Sequence, residues 1–284
     1  MEKFKKPYYQ LSINSFCQTE IYVNDVLVDD WKGEQTKGSQ RGSSLPPINH
    51  LLLQSGKYTV VGKMYPKFGE KKITEDNSYL GIDFYVSEID NIKATRVPFH
   101  PKIESPWDGL SENINHPYFE IKTEIEVELP FILEGWQNSI DLSKVDKQNL
   151  FKEVLFCYRQ IHILLKEHNA SRFLEISKDK MKLQEQAFYF NEDRKNDFLN
   201  SALNLFNQKL EVEPLIESEL KLEIMGYGKL VRLIKKDGSQ PLQFKSPNTK
   251  EQSNIELDLI FHTNIKTILI FAPILTYNYE KKSF

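Results

Sequence analysis

Cysteine is almost missing from this chain of 284 residues, where Cys17 and Cys157 are the only two. They stand far apart, in no Cys-x-x-Cys pair and no zinc-ligand spacing, which argues against a disulfide-stapled scaffold and points to two buried, reduced thiols. Long apolar runs are missing too. The longest, residues 268–275, contains Pro273 and is far short of the roughly 20 residues that a helical span requires, so no membrane association is expected. The basic first segment, Met1-Glu-Lys-Phe-Lys-Lys-Pro-Tyr-Tyr-Gln, is followed by no uninterrupted apolar stretch and no small-residue cleavage site. The expected compartment is therefore the cytoplasm. Positive charge is not in excess: 37 Lys and Arg face 40 Asp and Glu, a net charge of −3, which argues against a nucleic-acid partner.

The motifs of the common enzyme classes are absent as well. The six histidines (His50, His100, His116, His162, His168 and His262) form no His-x-x-x-His or Glu-x-x-His pair that would set two ligands on one helical face, so no metal site is expected. Gly226-x-Gly228 has no following Gly-Lys-Ser/Thr and is explained as a turn between strands. There is no Gly-x-Ser-x-Gly elbow, and Gly42-Ser43-Ser44 lies in a Gly/Ser/charge-rich stretch, residues 33–44, that has the composition of a surface loop. No catalytic residue and no cofactor site is assigned, and the chain is expected not to be an enzyme. The alternative, a small-molecule enzyme or ligand-binding protein using a cavity in the second half, would need His162, Tyr158 and Asp258 to converge there.

What is present is the composition of a folded protein, 40% apolar, 27% charged and 12% aromatic, with length for about two domains. The charge is uneven along the chain. Residues 1–142 carry 15 basic and 21 acidic side chains and residues 143–284 carry 22 and 19, so the first half is the better surface for a basic partner.

Up to about residue 140 the chain reads as strands: 9–16, 19–23, 58–64, 80–89 and 118–129, separated by turn-rich stretches including 99–115. Asn24-Asp25 is a tight-turn pair that folds 26–28 back on 21–23. These features predict an antiparallel β-sandwich over residues 1–140.

Near residue 140 the apolar period changes from two to 3.6. A helix is predicted over 146–168 with Asp146 or Ser143 as cap, a second from a cap at Ser171 to about Phe188, and a third over 193–210, closed by Pro214. Strands return at 220–225, 229–234, 255–261 and 265–271, with turns at Gly226-Tyr227-Gly228, Asp237-Gly238 and His262-Thr263-Asn264. Three helices and then a meander predict an α+β domain over 141–284, making the whole chain α+β.

In the second half, Leu222-Glu-Ile-Met-Gly-Tyr-Gly-Lys-Leu-Val-Arg-Leu-Ile, Gly238-Ser-Gln-Pro-Leu and Glu256-Leu-Asp-Leu-Ile-Phe-His resemble the cone-shaped fold of nuclear-transport-factor-2-like proteins. In the first half, Ile21-Tyr-Val-Asn-Asp-Val-Leu-Val and the stretch from Pro47-Ile-Asn-His to Lys63-Met-Tyr-Pro resemble β-sandwich modules of bacterial two-domain proteins. Several of these are similar to immunity partners of interbacterial toxins, notably type VI secretion effectors. The resemblance implies a non-enzymatic protein that binds a cognate toxin and occludes its active site.

The partner surface is expected at residues 120–129. Strict alternation there sets Ile121, Thr123, Ile125, Val127 and Leu129 on one face and Glu120, Lys122, Glu124, Glu126 and Glu128 on the other. Neighbouring glutamates on such a face stand about 7 Å apart and repel by roughly half a kcal/mol in water, unless something basic faces them. The same row also has the composition of a charged edge strand protected from aggregation. Asp29, Asp30, Trp31 and Trp107 join the expected contacts, the tryptophans as anchors, with a cap over the sandwich end as the structural alternative for each. Trp136 is expected to serve packing near the domain junction.

Overall fold

The computed structural model describes residues 4–38, 40–74, 78–106, 116–246, 254–264 and 267–275. The protein is α+β, with antiparallel strands before and after a helical stretch in chain order. It divides into two compact units. The first comprises residues 1–134 and 186–189, the second residues 135–185 and 190–284.

The first unit holds two sheets. One runs β1 (Pro7–Ser15), β5 (Leu80–Glu88), β6 (Val97–Glu104); the other runs β3 (Val26–Trp31), β2 (Gln18–Val23), β4 (Gly56–Tyr65), β7 (Phe119–Val127). The short helix α1 (Ile92–Thr95) leads into β6. Strand β6 is a correction to the sequence reading, which took residues 99–115 for a turn-rich stretch. Its apolar Val97, Phe99 and Ile103 are interspersed with two prolines, His100, Lys102 and Glu104, and pairing with β5 supplies what local propensity lacks.

The sheets pack face to face, with Ile21, Val23, Val60, Met64, Ile121, Ile125 and Val127 inward from one and Leu11, Ile13, Leu80, Ile82 and Phe84 inward from the other. Gly62 lies at a close approach of the two sheets, because a Cβ there would stand 2.7 Å from Leu80 Cδ2 and 3.1 Å from both Ile82 Cδ1 and Ile121 Cγ1. In the Gly/Ser-rich stretch, residues 41 and 44 are tied down more than its composition suggests. Arg41 N–H donates to Ser15 O at 3.0 Å, and Ser44 exchanges both backbone hydrogen bonds with Ile13.

The β2–β3 turn forms as predicted. Asn24 and Asp25 both have positive φ, 48° and 64°, between paired Val23 and Val26, the two-residue turn whose twist matches that of the strands. Asn24 does a second job: its backbone N–H donates to Thr59 O at 2.8 Å, and its Oδ1 accepts from Thr59 N–H at 2.9 Å. One residue thus fixes β2 against both β3 and β4.

In the second unit, α2 (Lys147–Lys166) is capped by Asp146, whose carboxylate accepts from Asn149 N–H at 2.9 Å. Its buried Leu150, Val154, Leu155, Tyr158, Ile161 and Leu165 recur at helical spacing. The predicted second helix is two, α3 (Ala170–Ile176) and α4 (Lys178–Ala187). Asn169, not Ser171, caps α3, and Ser177 interrupts the pair, its hydroxyl donating back to Phe173 O at 2.8 Å. Helix α5 (Glu192–Asn207) is capped by Asn191 and ends seven residues before Pro214.

Strands β8 (Leu220–Met225), β9 (Leu230–Lys235), β10 (Leu242–Phe244), β11 (Ile255–Asn264) and β12 (Thr267–Leu275) form the third sheet. The β11–β12 ladder continues through Asn264↔Thr267, so residues 262–264, which the sequence suggested as a turn, belong to β11. Leu257 pairs with both Leu242 and Leu275, and Phe261 with both Val231 and Ile270, so β9 and β10 lie end to end along one edge of β11 and β12 along the other.

Between β9 and β11 Phe261↔Val231 is the single paired position. Two residues on in that register, Leu233 and Leu259 are bridged by the buried Tyr158 hydroxyl. It lies 3.0 Å from each carbonyl oxygen and accepts from Leu233 N–H at 3.2 Å. Burial, with Asp258 nearby, pushes its pKa far above the ordinary phenol value, so it stays a neutral donor.

Two substitutions test these joints. Asn24→Ala is expected to cost about 1–3 kcal/mol in urea unfolding, from a positive φ forced on alanine and a lost bond to Thr59, and Asn24→Gly less, because it relieves only the first. Tyr158→Phe, which strands the Leu233 and Leu259 backbone groups, is expected to cost about 1–3 kcal/mol by the same measurement.

Candidate interaction surface

The outward face of the four-stranded sheet is assembled from four separate strands by register. Asp30 stands opposite Glu20, Glu20 opposite Lys63 and Lys63 opposite Glu120, giving one row of three carboxylates and a lysine across the sheet. Neighbouring rows bring Gln18 beside Tyr65, and Val61 beside both Tyr22 and Lys122.

The centre of this face is the Glu20 carboxylate. It accepts from Tyr22 Oη at 3.0 Å and Tyr65 Oη at 2.8 Å, and it pairs with Lys32. Burial alone would raise its pKa, but the hydrogen bonds from Lys32, Tyr65 and Tyr22 outweigh that and hold the carboxyl below its usual range. The rings are ordered in turn. Tyr65 and Tyr118 lie 5.4 Å apart, Lys63 Nζ sits 4.3 Å from the Tyr22 ring centroid, and Tyr118 Oη donates to Glu120 at 2.6 Å. Tyr118 is 39% exposed, and Tyr22 and Tyr65 are half-buried.

Glu120, Glu124 and Glu126 do point outward from β7, one of the two edge strands of this sheet. They are not a run of unanswered charge. Lys57 stands opposite Glu126 and pairs with Glu124 at 2.9 Å, while Lys63 stands opposite Glu120. Glu128 lies just past the strand, and its backbone N–H and C=O both bond to the Tyr9 hydroxyl, at 3.0 and 2.9 Å.

Asp30 shares the outward face with Glu20, but Asp29 does not. A bulge in β3 after Ile21↔Asp29 turns it to Arg41, which grips both carboxylate oxygens, and to Ser44 at 3.3 Å. Trp31 pairs with Thr19 on the inner face and is only 9% exposed, so its ring is core and not the exposed anchor that the sequence offered. Trp107 lies outside the described residues. Trp136 is buried in the second unit, its Nε1 3.3 Å from where a Cβ on Gly226 would stand. The tyrosines and Glu20 were missed because each is one member of an ordinary alternating strand, and only cross-strand register gathers them.

The residues of the enzyme alternative do not converge. His162 Nε2 is hydrogen-bonded to Glu213 O at 2.8 Å, and Tyr158 is consumed by the sheet backbone. Asp258 lies on the face opposite α2, held by Arg232 at 3.1 Å, and Arg232 also donates to Glu223 at 2.5 Å. Burial opposes the charge on Arg232, but Asp258 and Glu223 outweigh it and keep the guanidinium cationic. On α4, the ammonium of Lys180 is buried with no hydrogen-bond partner. Burial holds its pKa well below the ordinary lysine value, with Asp258 opposing. Among the described residues no three of His, Cys, Asp and Glu gather as metal ligands, and no helix is long and apolar enough to cross a membrane. Cys17 is buried and its thiol is pushed up to about 12 by burial, which makes it a poor nucleophile at neutral pH, and Cys157 is half-buried and also raised by burial.

Comparison of the chain with protein families, with curated proteins and with solved structures gives no match.

Acidification is expected to act through His262. Its Nδ1 lies 2.9 Å from Ser139 Oγ, and burial depresses its pKa below the ordinary 6.5, with Asp179 opposing. Between those two values the unfolded chain takes up a proton that the folded chain resists, so stability falls as pH drops through about 6.5. His262→Gln should flatten the change in urea midpoint between about pH 7.5 and 5.5, and an unchanged slope would clear His262 of that role.

Proposed function

We propose that this protein is a non-enzymatic binding protein of the immunity type, acting in the bacterial cytoplasm, that holds a cognate interbacterial toxin, such as a type VI secretion effector, and occludes its active site. The toxin-partner idea comes from the resemblance of the first half to such modules. The observation that carries a binding role is the ordered mosaic of Tyr22, Tyr65 and Tyr118 around Glu20 on an outward sheet face. Rigid tyrosines with few rotatable bonds make a contact surface of low entropic cost, and each hydroxyl offers a directed bond at its tip.

The mosaic shifts the weight of recognition from charge to aromatic contact. Five carboxylates (Glu20, Asp30, Glu120, Glu124, Glu126) are interleaved with Lys32, Lys57, Lys63 and Lys122, so the net field is small and long-range steering weak. The charges serve instead to fix register against a partner of complementary pattern. No residue is assigned a catalytic role, and no cofactor is invoked.

The test is capture of a partner from the native cell by the tagged full chain at moderate salt, followed by mass spectrometry. A protein encoded next door is expected in stoichiometric amount. Tyr65→Ala with Tyr118→Ala should weaken its binding by about 30-fold or more, as loss of interface anchors does, while Tyr65→Phe with Tyr118→Phe keeps most of it. Capture undiminished by the alanine pair would remove this face from the proposal, and a chain that elutes alone would remove the immunity role.

A further inference from the structure

A cleft of about 450 Å³ opens in the second unit where the first turns of α2 pass beside β8. Its floor is apolar, formed by Phe151 of the helix and by Leu222 and Ile224 of the strand. All three are half-buried at the margin of the core, not sealed within it. Among the described residues strand β8 is the last of its sheet on that side, so no further strand of that sheet brings side chains to cover them. Apolar surface left facing water costs about 25 cal/mol per Å², and a ligand that buries it recovers that cost.

The rim is cationic. Lys147 and Phe151 lie one helical turn apart, as do Gln148 and Lys152, which sets both ammonium groups and the Gln148 amide over the same opening. Lys147 and Lys152 are exposed and have no ion-pair partner among the described residues. The one carboxylate at the rim, Glu217, is already engaged by Arg159 at 2.7 Å. The first turn of α2 contains no acidic residue, and the nearby Asp146 carboxylate is engaged in capping Asn149 N–H.

An apolar floor under two free ammonium groups is matched by one kind of occupant. We propose that the cleft binds a small organic anion with an apolar body, the apolar part on Phe151, Leu222 and Ile224 and the anionic head between Lys147 and Lys152. Its size falls in the range of small-molecule sites, roughly 300–1,000 Å³. The site is independent of the tyrosine face, so either can fail without the other. It also differs from the cavity expected around His162, Tyr158 and Asp258, none of which lines it.

The experiment titrates the full chain with octanoate, acetate and octan-1-ol, following binding by calorimetry and the methyl resonances of Leu222 and Ile224 by NMR. Octanoate is expected to saturate, with methyl shifts at those two residues. Acetate, which lacks the apolar body, and octanol, which lacks the charge, should each bind at least about tenfold more weakly. Lys147→Glu with Lys152→Glu, both at exposed positions and harmless to the core, should lower octanoate affinity by about tenfold or more. Lack of saturation by about 10 mM, octanol binding as well as octanoate, or affinity unchanged in the double variant would each overturn the proposal.

Discussion

The register of β4 is the constraint on which the outward face of the four-stranded sheet depends. Side chains alternate with a period of two, so a slip of one residue would carry Lys57, Lys63 and Tyr65 into the core and drive Tyr58, Val60 and Met64 into water. Three features resist that slip. Asn24 locks Thr59 through both backbone and side chain, Gly62 is the position without a side chain where Leu80 and Ile82 of the facing sheet press in, and Tyr58 Oη is bonded to the Gln54 backbone at both N–H and C=O, at 3.1 and 2.7 Å. The mosaic around Glu20 is a consequence of core packing before it is a property of its own residues.

The second unit solves a related problem differently. Its sheet does not close by ladder hydrogen bonds alone, because β9 meets β11 at a single paired position. A helix side chain completes the joint. Tyr158 supplies a hydroxyl where the strands separate, and a buried backbone group left unmatched there would cost more than the bond itself is worth. The same tyrosine sits in the apolar stripe that drives α2 onto the sheet, so the helix and the strand joint stabilise one another. This dual use explains why Tyr158, which has the chemistry of a catalytic acid, is not free to act as one.

Much of this was legible in the residues. The change of period near residue 140, the Asn24-Asp25 turn, the Asp146 cap and the alternation through residues 120–127 are local signals, and local signals survive folding when packing agrees with them. What was not legible was relational. The acidic row looked uncompensated because Lys57 and Lys63 lie some sixty residues away in sequence and become its neighbours only through β4–β7 pairing. Trp31 looked like an anchor because acidic residues precede it, yet the bulge in β3 leaves Asp30 outside and turns Asp29 and Trp31 inward. Strand β6 was hidden because its edge position lets prolines and polar residues stand where a central strand would demand apolar ones.

The two proposed surfaces follow from one distinction, between charge that is answered within the chain and charge that is not. On the sheet face nearly every carboxylate has a lysine or tyrosine beside it, so a partner gains little from neutralising any single group and must instead match the pattern as a whole, which favours a large and specific protein surface. At the cleft Glu217 is satisfied by Arg159 while Lys147 and Lys152 have no ion-pair partner among the described residues and stand above apolar side chains. A small ligand suffices there, since one anionic group and a short apolar body meet everything the site leaves open. The chemistry that each surface leaves unsatisfied sets the size of what it can bind.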